Sequence, residues 1–404
     1  MAEIQTPVPV WLDCDPGHDD VFAILMAAHH PALRLLGISA VYGNASLNHT
    51  LWNARSILTA ISKENDVPVY AGASQPIERP PMATSADIHG ETGLDGTDLL
   101  PEPRAAAKST DPDEAIEAMA AALLAEPAGT PWLVATGCLT NVALLLEKHP
   151  AIADHLGGLS IMGGAIGGGF TAAVAGEVNG VPRIGNQTAF AEFNILLDPE
   201  AAARVFANPR LARKTTLVPL DVTHLVLATA EVQALLLHGP GHNTTTTTPT
   251  TTSPTAVGGQ GKTVLRTMLV QLLNFFADSY NKVFGISAGP PLHDPLAVAA
   301  VLTGTAAAIP FYDFVHSGSG SGSASESTGP PPPERYHVTV VTDGTTDEAL
   351  AGRAETGRTV AQLLPPGAEG VRIPRGLDIP GFWTVLEECC SRADAANAKN
   401  GRTV

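Results

Sequence analysis

The first half of this sequence predicts an α/β fold, a mainly parallel central sheet flanked by helices, on three observations. Short apolar runs rich in Val, Ile and Leu recur along it, Gly, Pro or Asp bounds each run, and amphipathic stretches of helical length separate them. Strands buried on both faces read as continuous hydrophobic runs, and parallel pairing needs a crossover between strands.

The elements follow in order. Residues 8–14 (VPVWLDC) form a strand that ends on aspartates, and DDVFAILMAAHH after them is a helix. LRLLGISAVYG is a second strand, LNHTLWNARSILTAIS a helix and VPVYAG a third strand. A long loop then leads to helical DEAIEAMAAALLAE, the strand PWLVATG, helical LTNVALLLEKH and the strand LGGLSIMGG. Further on, TVLRTMLVQLLNFFADSYNKVFG is helical, YHVTVVTDG a strand and FWTVLEECCSRADAANA a closing helix. Two low-complexity stretches interrupt this pattern: a Thr-rich one at residues 242–262 and a Gly/Ser/Pro-rich one at 317–335. They hold too little apolar surface to offset the entropy of ordering, so both are expected as disordered surface insertions. The α/β pattern resumes after each, and residues 1–404 are expected to form a single domain.

Composition narrows the partners. The 404 residues are 44% hydrophobic and 16% charged, enough for a large core. Lys and Arg total 23 against 40 Asp and Glu, a formal charge of −17. That balance disfavours a polyanion, so nucleic acid is not expected, while a small uncharged nucleoside stays open. The amino terminus lacks the basic-then-apolar order of a secretory signal, and no apolar run reaches the ~18 residues that span a bilayer. No membrane partner is expected. The four cysteines lack CxxC spacing, which reads as reduced thiols in a cytoplasmic or nuclear protein.

In a parallel sheet, ligands bind beyond the carboxyl ends of the strands. Asp13 and Asp15, Asn44, Thr136 and Met162 all fall there. The densest stretch is DCDPGHDD, with Asp13, Asp15, Asp19 and Asp20 inside eight residues. Like charges so close repel unless a cation or shared protons offset them. An EF-hand loop fails, because its twelfth position falls on Ile24 or Met26 rather than on glutamate. A phosphatase of the haloacid dehalogenase type fits poorly, because Pro16-Gly17 stands where its motif continues to Thr or Val. Capping of the following helix explains one aspartate, not four. A hard cation shared by several carboxylates explains them together, and Asp294, in GPPLHDPLAVAAVL, supplies a distant further ligand. His293 beside it brings an acid/base or polar group to the edge of that site. Cys14 alternates away from its aspartate neighbours into the core.

DCDPGHDD, VYGN, IHGETGLDG, ATGCLTN, IMGGA, GNQTAFAEFN and PPLHDPLAVA stand in this order. Together they resemble the inosine-uridine nucleoside hydrolases, which cleave ribonucleosides to ribose and base on a Rossmann-related fold. The resemblance runs from about residue 8 to about residue 305 and more loosely beyond.

It implies one Ca²⁺ held by Asp15, Asp20, the backbone oxygen of Thr136 and Asp294. It also implies that Asp19, Asn44, Asn186, Glu192 and Asn194 hold the ribose hydroxyls. Met162 would pack by the sugar, Phe193 by its 5′ side and His89 by the base. Asp15 is the expected general base for water, and His293 either protonates the departing base or merely contacts it. Breaking an N-glycosidic bond develops positive charge on the ribose ring, which surrounding carboxylates favour. Glu192 and Asn194 alternate about Phe193 as on a strand. Tyr280 is the base-contacting candidate of the 263–285 helix, unless it is core. The segment 165–184 is longer than the resemblance leads one to expect and reads as a flap or a subunit contact. A homodimer or homotetramer is also implied. A catalytically silent ribose-binding protein on the same scaffold is the alternative from another class.

Overall fold

The computed structural model describes residues 6–82, 84–173, 177–178, 181–241, 259–314 and 333–402. Six parallel strands form the central sheet: β1 (Val8–Cys14), β2 (Leu33–Ala40), β3 (Val69–Ala71), β4 (Trp132–Ala135), β5 (Gly158–Met162) and β8 (Thr215–Val218). The short antiparallel pair β6 (Glu177–Val178) and β7 (Val181–Pro182) intervenes before the last of these. The order across the sheet is β3-β2-β1-β4-β5-β8. It reverses direction between β1 and β4, and a doubly wound sheet binds its ligand at that switch point. Asp15 follows β1 and Thr136 follows β4, so both stand at the crevice.

Burial explains the apolar runs. Six of the seven residues of β1 and all of β5 are buried. The Asp20–His29 helix has nine of its ten residues buried, because it lies between the sheet and the Asp294–Ala300 and Ile379–Lys399 helices. A helix apolar on every side can be stable only in such a place. Cys14, Cys138, Cys389 and Cys390 are free and buried.

Two departures from the sequence reading concern strands. The edge strand β8 has the sequence TTLV, too short and too polar at its start to announce itself. The strand expected at residues 336–344 exists as β10 (Tyr336–Val340), but outside the central sheet. It pairs antiparallel with β11 (Thr359–Leu363), as β9 (Phe311–Tyr312) does with β12 (Gly376–Leu377). Each expected insertion lies mostly outside the described residues, over 242–258 and 315–332.

The 21-residue Val264–Phe284 helix matters for the site, and its start is pinned. Thr263 caps it, and the fully buried Arg266 reaches the closing helix, with Nε 2.6 Å from Asp394 and an NH₂ group 2.8 Å from Glu387. Among the described residues, no helix is long and apolar enough to cross a membrane.

Candidate active site

The chain after β1 turns sharply through Pro16-Gly17 into the Asp20–His29 helix, and the turn is tied down by its own aspartates. Asp20 accepts the Gly17 N–H at 2.9 Å and the Thr136 hydroxyl at 2.9 Å. Asp15 Oδ2 accepts the backbone N–H of Asn44 at 2.8 Å, and Asn44 Nδ2 donates to the Asp15 carbonyl at 3.1 Å. Glycine is needed around Asp15 for close approach: a Cβ on Gly43 would collide with Oδ2, and one on Gly137 would stand 2.8 Å from Oδ1.

Ligating oxygens of Asp19, Asp20 and Asp294 lie within 4.8 Å of one another, and Asp15 interacts electrostatically with all three. Burial pushes all four carboxyls up. Asp15 and Asp294 stand well above the ordinary range, further raised by Asp20 and Asp19 respectively. Asp19 rises to about 7, with Asp20 adding to burial, and Asp20 to about 6 despite the donors around it. No Lys or Arg pairs with any of them among the described residues. Asp15 Oδ1 is buried without a hydrogen-bond partner. A cluster of hard oxygens, one of them orphaned and none of them ion-paired among the described residues, fits a divalent cation such as Ca²⁺.

Asp13, the fourth aspartate of the stretch, has another task. It accepts from Ser39 Oγ and, at 2.8 Å, from Asn141 Nδ2, and ties β1 to its neighbours. Burial raises it to about 7.

Above the carboxylates lies a small cavity of about 40 Å³. Asp19, Asn44, His89, Thr136, Met162, Asn186, Glu192, Phe193, Asn194, His293 and Asp294 line it, together with Phe276 and Tyr280. Asp15 and Asp20 are fully buried and do not line it. A more open groove runs elsewhere, beside Trp52, Asp98 and Gln271, but the carboxylates and the histidine of the HDP motif converge on the smaller cavity.

The Glu192–Asn194 stretch is not a strand. Glu192 is the N-cap of the Phe193–Leu197 helix, accepting the N–H groups of Asn194 and Ile195 at 2.9 and 3.1 Å. It also accepts Gly164 N–H at 2.9 Å, which fixes the glycines after β5. Asn194 Nδ2 donates to the Thr136 carbonyl at 2.8 Å, and Asn186 Oδ1 accepts the Phe193 N–H at 2.9 Å. The segment 165–184 includes residues 174–176 and 179–180, which lie outside the described residues. Its start is held by Asp221, which accepts from Ile166 and Gly167 at 2.7 and 2.8 Å.

Aromatic groups close the opposite wall. Tyr280 Oη lies 2.7 Å from His293 Nε2, and Thr223 Oγ1 lies 2.7 Å from His293 Nδ1. Phe276 meets Tyr280 edge to face at 4.7 Å. His18 stacks between His89 and Phe275 and reaches the Asp95 carbonyl at 2.8 Å. Burial lowers His18 to about 4 and holds His89 and His293 well below their ordinary value, so all three are neutral at pH 7. Sequence reasoning missed Phe276, Thr223 and His18. Phe276 was findable, four residues before Tyr280 on the same helix face; Thr223 carries no local signal.

The site thus joins an oxygen-only cluster that could hold a cation to a small polar cavity with an aromatic wall opposite. Residues 10–384 match the family model described as inosine-uridine preferring nucleoside hydrolase. A uridine nucleosidase of Saccharomyces cerevisiae is 39% identical over 389 residues, 96% of this chain and 97% of that one. A pyrimidine-specific ribonucleoside hydrolase of Salmonella arizonae is 36% identical over 73% of this chain and 79% of its own length. Among solved structures, a purine-preferring ribonucleoside hydrolase from Gardnerella vaginalis superposes with a TM-score of 0.67 at 25% identity, covering 96% of this chain and 99% of that one. The chain belongs to the inosine-uridine preferring nucleoside hydrolase family and is a nucleoside hydrolase.

Proposed function

We propose that this chain hydrolyses the N-glycosidic bond of ribonucleosides to ribose and free base, with uridine the leading substrate and inosine or related ribosides next. Ca²⁺ would be held by Asp15, Asp20, the Thr136 carbonyl and Asp294. The Thr136 oxygen already accepts from Asn194 and keeps a second lone pair for the ion. When bound, the ion supplies the charge that orients the 2′- and 3′-hydroxyls and eases deprotonation of water.

The chain's own groups do the rest. Asp15 takes a proton from the attacking water. The water oxygen bonds to C1′ as the C1′–N bond breaks, and the bonding pair leaves with the base. Asp19, Asn44, Asn186, Glu192 and Asn194 hold the sugar hydroxyls and place C1′ before the water, the positioning that lowers such barriers most. Met162 packs by the ring, Phe193 by its 5′ side, and His89 and His293 by the base. The observation that carries this reading is the orphaned Asp15 oxygen amid buried carboxylates beneath a cavity lined by those amides. Uridine leads because relatives at 39% and 36% identity are named for uridine and for pyrimidines.

The reading extends to one domain carrying two peripheral insertions, to a homodimer or homotetramer, and to a cytoplasmic site of action. Sedimentation velocity decides the second, and the free thiols favour the third. Reducing-sugar release from uridine, cytidine, inosine and adenosine tests the activity. Ribose from uridine first is the expected result; ribose from none of them, with folded Ca²⁺-loaded protein, contradicts it.

A further inference from the structure

Glu192, the acid assigned above to the sugar, rests on a support that lies outside the seven sequence motifs. Its carboxylate accepts three backbone N–H groups, from Gly164 at 2.9 Å, Asn194 at 2.9 Å and Ile195 at 3.1 Å. An ionised carboxylate has about four acceptor positions, so roughly one is left for a ligand in the cavity that Glu192 lines. Its aim depends on where the three donors stand, and they belong to two pieces of chain: the glycines after β5 and the Phe193–Leu197 helix. Three consecutive residues at the head of β11 touch both pieces. Thr359, 3% exposed, faces Gly164, where a Cβ would stand 2.9 Å from its Oγ1. Arg358 pairs antiparallel with Ala191, and its guanidinium lies 5.1 Å over the ring of Phe190. Gly357, at φ 81°, backs onto the helix: a Cβ there would stand 3.0 Å from Leu196 Cα and 3.1 Å from Ala191 Cβ. This turn is itself held, by Gly357 N–H to the Val341 carbonyl at 2.8 Å and by Val341 N–H to the Arg358 carbonyl at 3.0 Å.

We propose that Gly357, Arg358 and Thr359 are positioning residues for the sugar: they fix the donors around Glu192 and so aim its free acceptor position at a ribose hydroxyl. The inference rests on the hydrolytic reading above, in which Glu192 binds the ribose. The contact at Thr359 works by shape, because its buried Oγ1 has no hydrogen-bond partner. Truncation to alanine leaves a gap beside Gly164, and the glycine turn relaxes into it and carries its N–H away from Glu192. Glu192 then holds the hydroxyl less well before and during bond cleavage alike. Loss of such uniform binding raises KM and spares kcat. The proposed Ca²⁺ ligands belong to other elements, so affinity for the ion should not move.

Steady-state ribose release from uridine, with melting curves in D-ribose and in Ca²⁺, tests the assignment. Thr359→Ala should raise KM by about fivefold or more and change kcat less than about threefold. It should weaken D-ribose binding by the same factor as KM and leave the Ca²⁺ midpoint within about twofold of wild type. Thr359→Val refills the gap without the hydroxyl and should return KM to within about twofold of wild type. An unchanged KM, a loss confined to kcat, a Ca²⁺ midpoint that shifts as far as KM, or a Val variant as impaired as the Ala variant overturns the assignment. Should Thr359→Ala not fold, Arg358→Ala reads the same support through a side chain that is 35% exposed. It should raise KM about threefold or more with kcat spared, and an unchanged KM again overturns the assignment. Wild-type protein that releases no ribose would refute the hydrolytic reading itself, a result distinct from these, and the D-ribose melts would still read the support of Glu192.

Discussion

Replacing Asp15 with asparagine should damage catalysis and stabilise the metal-free protein at the same time. Asn keeps the size of the side chain, and its oxygen can go on accepting the Asn44 N–H now 2.8 Å from Asp15 Oδ2. The amide nitrogen takes the place of the orphaned Oδ1 and offers hydrogens among buried acceptors. Loss of a general base commonly costs ~10²–10⁴ in rate, so kcat should fall about 10³-fold, or ~4 kcal/mol of barrier. Without Ca²⁺, however, Asp15 is a buried acid whose ionised form is opposed by burial and by Asp20. Replacing that acid with a neutral amide removes the cost of keeping it protonated in the fold and should stabilise the chelated protein by about 1 kcal/mol, a rise of roughly 2 °C in melting temperature. The melting increment on adding Ca²⁺ should shrink, by ~1.4 kcal/mol for each tenfold loss of affinity. Steady-state ribose release and thermal melts with and without chelator read all three. A variant within threefold of the wild-type rate, or one melting below wild type in chelator, would refute the assignment of Asp15.

Other perturbations reach other parts of the account. Gly43→Ala places a Cβ against Asp15 Oδ2 and should cost at least tenfold in kcat with little change in fold, measured by ribose release beside circular dichroism. Arg266→Ala leaves Asp394 and Glu387 buried without their cation and should destabilise by ~3–5 kcal/mol, read from urea melts. His29, whose Nε2 meets the Ile61 carbonyl at 2.9 Å, is pushed by burial down to about 4. It stays neutral in the fold while the unfolded chain takes up a proton below pH ~6.5, so its stabilisation is complete above that pH and is lost as pH falls towards 4. His29→Gln should therefore flatten the fall in stability between pH 6.5 and 4.5 in urea melts, and an unchanged slope would show that other groups set it.

Much of the site was legible because its residues sit where sequence patterns are strongest. Asp15, Asn44 and Thr136 follow strands, and Met162 ends one, whose apolar runs are unmistakable, and a parallel sheet brings their ends together. What failed was local geometry that depends on partners far along the chain. Glu192 reads as one face of a strand, yet it caps a helix, because the Gly164 N–H and its own next turn compete for its carboxylate. Asp13 counts as one more acid in the cluster until Ser39 and Asn141, from other elements, claim it. The Thr223–His293 contact joins residues 70 apart, and no spacing announces it. β8 escaped because four residues are too few to show a period.

The central claim is that an ion held by this carboxylate cluster makes the chain a nucleoside hydrolase. The measurement that meets it most directly is ribose release from uridine by protein stripped with chelator, then titrated with Ca²⁺. The account predicts little release from the stripped protein and recovery as Ca²⁺ is returned, saturating with the same midpoint as the rise in melting temperature. Full activity in the stripped protein, with no response of either rate or melting to Ca²⁺, would contradict it.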